Sequence, residues 1–393
     1  MFRTPIFLLG AAALSVSLPL AAQAPPPLAF TARTVDTGLR GGYQSVIADL
    51  NKDGRPDIIA VATGMKEVPW YENPGAADGT WTKHVMVTGV NAPINAAVYD
   101  TDADGIPEVA LAADFATVYG KSAGTLYLLS HKGDPTGPWD MKEIDRTPTA
   151  HRVRWVDVDG KGKVLVNAPL IGANSIAPDY KDKVGIFYYR GPDWKRQSLT
   201  DADSGVIHGL WVMPWNNSKF EALLSASFNG VFAHQFQNGG WTRTRVVEGD
   251  PGAWPQSGTS DIAPGRVGKG GRYLATIEPW HGNKVAVYLP NGNSWARQVI
   301  DETITDGHTL VTGDFNNDGT DEFIVGERAG KRSIYLYRAT SPKGDAWTRE
   351  VLDDGGMAGA GCAIADMNAD KKMDVVCIGT ATANLKVYEN AGK

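Results

Sequence analysis

A nine-residue pattern of alternating oxygen-bearing side chains recurs along the chain and restricts it to a repeat architecture. Its copies are Asp49-x-Asn51-x-Asp53-Gly54-x-x-Asp57, Asp100-x-Asp102-x-Asp104-Gly105-x-x-Glu108 and Asp314-x-Asn316-x-Asp318-Gly319-x-x-Glu322. The last is Asp366-x-Asn368-x-Asp370-x-x-x-Asp374, with Lys371 where the others have glycine. Several hard oxygens gathered on one short turn suit Ca²⁺, and these Asp, Asn and Glu residues are candidate ligands for a structural Ca²⁺. An EF-hand opens in the same way but needs a bidentate Glu at its twelfth position. Here that position holds Ala60, Leu111, Val325 or Cys377. Each loop instead runs into a short apolar segment such as Ile58-Ile59-Ala60-Val61-Ala62, so the unit is strand–loop–strand. The competing reading is a turn whose Asp side chains bond their own backbone without metal.

The equivalent positions along the whole chain are Asp49, Asp100, Asp157, Pro214, Arg266, Asp314 and Asp366, separated by 51, 57, 57, 52, 48 and 52 residues. The middle units have lost most of the carboxylates and kept the spacing. Each unit holds four strand-like runs, in the sixth Thr309–Gly313, Glu322–Gly326, Ser333–Tyr337 and Trp347–Val351. Trp81, Trp139, Trp194, Trp241, Trp295 and Trp347 open the fourth run in six units. The C-terminal unit stops after its third run, Leu385–Tyr388, and the missing strand lies at the other end of the chain, in Phe30–Asp36. The spacing therefore predicts an all-β fold, a seven-bladed β-propeller of four-stranded blades closed by the N-terminal strand. A solenoid, the alternative, wants polar capping repeats.

Before the first unit, Arg3, the apolar Ile6–Ala22 run and Ala22-Gln23-Ala24 read as a secretory signal with its cleavage region, residues 1–24. Residues 25–393 then form a single propeller, and the expected location is secreted or periplasmic. Cys362 and Cys377 flank the last acidic loop. Two readings stand for them, a disulfide across that hairpin in an oxidising compartment and two buried thiols. The net charge of −6 offers nothing to a nucleic acid or an anionic membrane. We expect a monomer with no nucleic-acid partner, and no membrane partner once the signal is cleaved.

The acidic loops at this spacing resemble the FG-GAP/VCBS repeats of integrin-like propellers, which specifies fold better than function. A narrower resemblance rests on His151-Arg152-Val153-Arg154-Trp155-Val156-Asp157, Glu278-Pro279-Trp280-His281-Gly282 and Gly307-His308-Thr309-Leu310. These segments are similar to the propeller of aldos-2-ulose dehydratase and of rhamnose–glucuronate polysaccharide lyases. The resemblance implies an elimination beside an acidified C–H on a sugar, and hence a carbohydrate substrate. The cupin domains of the fungal dehydratase are missing from this chain.

In a propeller the acidic loops crowd one face, while connections into the first strand and from second to third lie on the other. The position six residues before each repeat anchor holds Tyr43, Ile94, His151, His208, Ser260, His308 and Ala360. His281 lies on a second-to-third connection of the same face. Four histidines on neighbouring blades are therefore expected at one channel mouth, and they are candidate catalytic residues with Arg152, Arg154 and Tyr180. Tyr180 sits in the insertion Leu170–Lys183 together with Asn174 and Asp179. Tyr43, Asn95, Asp261, Glu278, Trp280 and Arg328 are candidate substrate-binding residues, with Glu327 beside them. His84, His131 and His234 read as background.

A histidine's unperturbed pKa of about 6.5 suits a base near neutral pH. The first expectation is accordingly a carbon–oxygen lyase acting on a uronic-acid glycan or keto-sugar, with His208 as base. The same histidines could instead hold a catalytic divalent metal. A non-catalytic carbohydrate- or protein-binding propeller is the alternative, and a glycoside hydrolase using Glu278 and a second carboxylate is a further one.

Overall fold

The computed structural model describes Met1, residues 27–76 and residues 78–392. Apart from Met1, the expected signal segment lies outside the described residues. Among the described residues twenty-eight strands form seven antiparallel four-stranded sheets, and the one helical element is a single turn, Tyr119–Lys121. No helix among the described residues is long and apolar enough to cross a membrane.

Six blades run in chain order, as in blade three with Ala150–Val156, Val164–Pro169, Lys183–Tyr189 and Gln197–Ser204. The seventh takes Gly359–Ala365, Asp374–Gly379 and Asn384–Gly392 from the C-terminus, and Ala29–Thr37 from the N-terminus as its outer strand. That strand pairs antiparallel with Asn384–Gly392 from Ala29↔Gly392 to Thr37↔Asn384, so the ring closes as expected and carries no unpaired end blade. In the sixth blade the strands are Gly307–Gly313, Glu322–Glu327, Ile334–Ala339 and Trp347–Asp353, close to the expected runs. Trp194 departs from its pattern and stands in the turn before Gln197–Ser204.

Second strands such as Asp57–Ala62, Glu108–Ala113 and Glu322–Glu327 are buried at every residue. Their unbroken apolar runs follow from this, because each sheet is covered on both faces by its neighbours. One inter-blade core joins Ile59, Val61 and Trp70 of blade one to Val109 and Leu111 of blade two. Fourth strands such as Asp140–Arg146 line the rim and are polar. Cys362 and Cys377 stand opposite each other on paired strands and are joined as a disulfide.

The acidic loops use their side chains on their own backbone. Asp49 accepts N–H bonds from Asp53 and Gly54, and Asp314 from Asp318 and Gly319. The last carboxylate of each motif turns inward. Asp57 accepts from Leu50 and Asn73, Glu108 from Thr101, Glu322 from Phe315, and Asp374 from Met367 and Asn390. These four brace the turn. Burial and the neighbouring carboxylates push Asp57 up to about 7, Glu322 to about 8 and Asp374 to about 6. Only in the second loop do ligand oxygens of three residues, Asp100, Asp102 and Glu108, lie within 4.8 Å of one another among the described residues.

Candidate active site

The innermost strands begin on the face opposite the acidic loops, and five of them start with the same irregularity. The pairing skips one residue between Gly42 and Gln44, Ala150 and Arg152, Ile207 and Gly209, Gly307 and Thr309, and Gly359 and Gly361. The skipped residues are Tyr43, His151, His208, His308 and Ala360. A bulge leaves its extra residue out of the ladder and re-aims its side chain. Here the shared sequence register becomes a shared direction, and the large side chains meet.

Tyr43 Oη lies 2.6 Å from His151 Nε2 and 3.2 Å from His308 Nε2. The rings of His151 and His208 are 5.1 Å apart, those of His208 and His308 4.9 Å, and those of His281 and His308 5.1 Å. His281 Nε2 approaches His208 Nε2 to 3.3 Å. The group forms a plug of side chains in mutual contact, most of it buried. His151, His208 and His308 are each 1% exposed, and only the His281 side chain, at 26%, meets solvent appreciably. His208, the expected base, is buried and in contact with the more exposed His281.

Backbone carbonyls fix two of the rings. His208 Nδ1 faces the Ser260 carbonyl at 3.1 Å and His308 Nδ1 faces that of Ala360 at 2.5 Å. An Nδ1–H donated to each carbonyl leaves the Nε2 lone pair aimed at the centre. Arg328 Nη2 donates to His281 Nδ1 at 2.9 Å and is itself paired with Asp306. Asp306 also lies 3.3 Å from His281 Nδ1. Arg152 Nε donates to the His208 carbonyl at 2.9 Å, and its guanidinium lies 5.1 Å over the Tyr43 ring. All four histidines are held well below their ordinary pKa, first by burial and then by neighbouring charge, from the Arg152 guanidinium at all four and from Arg328 at His151, His281 and His308. They are therefore neutral at pH 7 and can accept a proton or a metal.

Several candidates lie elsewhere. Tyr180 packs edge-on against Trp280, with centroids 5.5 Å apart, in an apolar patch with Phe228, Trp254, Leu170 and Ile171. It does not reach the histidines, and Tyr43 is the phenol at the cluster. Trp280 links the patch to His281 at 4.6 Å. Glu278 is fully buried and turned into its own blade, where Thr276, Tyr288 and Arg297 hold it. Glu327 is likewise held by Tyr335 and the Thr305 N–H. Both carboxylates are committed to buried donors, which an apolar sheet leaves without other partners. Arg154, Asn95 and Asp261 lie below the plug and line the channel with Arg152.

The sequence reading missed Asp306 and Phe115, which touch His281 and His151 respectively. Both follow from the same geometry: Asp306 precedes a first strand and Phe115 lies on a second-to-third connection. The background histidines are accounted for by structure. His84 stacks on Trp70 and bonds Glu72, His131 bonds Asp104 on the acidic-loop face, and His234 bonds Ser225 inside blade four.

Residues 123–291 match the family model of the aldos-2-ulose dehydratase β-propeller domain, and residues 49–111 and 314–377 match FG-GAP-like repeats. The first match contains His151, His208 and His281, and His308 lies outside both. No curated protein matches the chain. Among solved structures, the crystal structure of BBS1N in complex with ARL6DN soaked with mercury aligns at TM-score 0.53 and 11% identity, covering 92% of this chain and 96% of that one. Its lead-soaked counterpart aligns at TM-score 0.55 and 12% identity, with the same coverage. At such identity the likeness concerns the fold. The chain is thus a seven-bladed β-propeller with FG-GAP-like repeats toward both ends and middle blades similar to the propeller of aldos-2-ulose dehydratase.

Proposed function

We propose that the chain is a carbohydrate lyase whose elimination chemistry is run from the histidine plug. The observation that carries this reading is the meeting of His151, His208, His281, His308 and Tyr43 in one contact group, supported by the resemblance of blades three to five to a sugar dehydratase propeller. Elimination needs a base for the carbon-bound proton, a charge stabiliser for the adjacent oxygen and an acid for the leaving oxygen. The His208–His281 pair supplies the base, with His281 on the solvent side. Arg328, at the rim beside His281, stabilises the developing oxyanion. Tyr43, bonded to His151, is the proton source for the leaving oxygen. The C–H electrons become the new double bond, the C–O bond breaks, and the imidazole keeps the proton. Trp280 and Tyr180 offer the apolar wall for a sugar ring.

The nitrogens of His208, His281 and His308 lie within 4.8 Å of one another, which favours a second role for them as ligands of a divalent transition metal. The donor set fits: two imidazoles already give their Nδ1–H to carbonyls, and His281 would give its own to Asp306 in place of accepting from Arg328. A metal held there would polarise a ketone or carboxylate oxygen. In that case the Tyr43–His151 pair is left to move the proton. Ca²⁺ in the acidic loops is structural in either case.

The test is a screen of uronic-acid glycans and keto-sugars, read by ultraviolet absorbance, with metal content measured on the same protein. An absorbing product supports the lyase, because elimination creates a conjugated double bond. Tight binding of a sugar with no absorbing product from any substrate refutes it and leaves the binding module. Hydrolysis without absorbance gives the glycosidase instead.

A further inference from the structure

Below the plug, on the axis of the ring, lies a cavity of about 100 Å³ to which all seven blades contribute. Its polar lining is unbalanced. Arg152 and Arg154 both face it, and Asp261 is the one carboxylate. No carboxylate pairs with either guanidinium among the described residues. Arg152 is bonded to the His208 carbonyl, and Arg154 to the Asn95 Oδ1 at 3.0 Å and the Val153 carbonyl at 2.8 Å. Asn95 is 1% exposed, its Oδ1 accepts from the Val153 N–H at 3.0 Å, and its Nδ2 finds no acceptor. A buried amide donor without a partner, beside two buried guanidiniums, is costly unless something accepts from it.

We propose that this cavity binds one small monovalent anion, a halide or a short carboxylate, held by Arg152, Arg154 and the Asn95 amide. With Asp261 ionised the two guanidiniums leave one positive charge in excess, which sets the valence. The volume sets the size, since a cavity of about 100 Å³ suits a small ion. The charge on Arg154 is already under strain, because burial and the adjacent Arg152 bring it down to about 10. An anion there would also offset the guanidinium field that holds His151, His208 and His308 low, and so raise their basicity. The site does not depend on the lyase reading.

The experiment follows the unfolding midpoint of the full chain at fixed ionic strength while sodium gluconate is replaced by chloride, or separately by acetate. Gluconate is the control, a monovalent anion with a six-carbon chain. The expected result is a saturable rise with chloride or acetate over gluconate, by linkage. The ion that saturates at the lower concentration identifies the occupant as halide or carboxylate. Asn95→Asp keeps the acceptor used by Val153 and Arg154 and adds the missing negative charge, so it should abolish the dependence. Arg154→Met should do the same, and if it fails to fold, Asn95→Asp decides alone. Equal midpoints in all three salts, or an undiminished dependence in Asn95→Asp, would overturn the proposal.

Discussion

Glu278→Gln separates a structural carboxylate from a catalytic one. Glu278 is 0% exposed, and its oxygens accept from Thr276 Oγ1 at 2.7 Å, Tyr288 Oη at 2.6 Å and Arg297 Nε at 2.8 Å. Gln can keep the two hydroxyl donors on its remaining oxygen, but its NH₂ then faces the guanidinium, donor against donor. Breaking a buried pair from one side costs about 3–5 kcal/mol. Arg297 is a quarter exposed and keeps Asp250 at 3.4 Å, so the lower end applies, about 3 kcal/mol. An unfolding entropy of roughly 2 cal/mol/K per residue gives a chain of this length on the order of 0.8 kcal/mol/K, and hence a fall in Tm of about 4 °C. The assay is thermal unfolding, with activity measured well below the transition. Activity per folded molecule should stay near that of the parent. An unchanged Tm with activity lost by about a hundredfold or more, as for a general acid or base, would refute the structural reading and revive the glycosidase.

Two further outcomes follow from the fold. Removing residues 25–37 strips the outer strand from blade seven and exposes Asn384–Gly392 as an edge, so the truncated protein should aggregate or lose its cooperative melt; one that melts like the parent contradicts ring closure. Asp57, Glu322 and Asp374 hold protons in the folded state that the unfolded chain releases above about pH 4. Their contribution is therefore full below that pH and is lost progressively from there as pH rises to about 6 to 8. Tm should fall over that window in chelator, and added Ca²⁺ should reduce the fall by neutralising Asp314 and Asp318; Asp314→Ala with Asp318→Ala should blunt the calcium response. No effect of chelator or Ca²⁺ at any pH would make the loops metal-free turns.

The ring was legible because repeat spacing and strand composition are local properties, and so was the missing strand, since the last unit stops after its third run and Phe30–Asp36 is strand-like. The histidine register was legible for the same reason. What periodicity does not contain is the bulge at Tyr43, His151, His208 and His308, which sets where those side chains point. Depth was hidden as well. A residue number on the mouth-facing side of a strand does not say that His281 will close over His208, or that Tyr180 will be held by Phe228 and Trp280. The partners of Glu278 were hidden too, since Tyr288 and Arg297 belong to the next two strands of its own blade. Only the sheet brings them together.

The central claim is that one contact group of histidines does the chemistry, and single alanine variants of all seven histidines test it most directly. Each is assayed by product absorbance on whichever sugar the screen finds, after its folding has been checked by thermal unfolding. Replacement of a working acid or base should cost on the order of 10²–10⁴ in rate. The account predicts losses of that size among His151, His208, His281 and His308, with His84→Ala and His131→Ala near the parent. Losses as large in His84→Ala or His131→Ala, or a parent-like rate in all four plug variants, would contradict it.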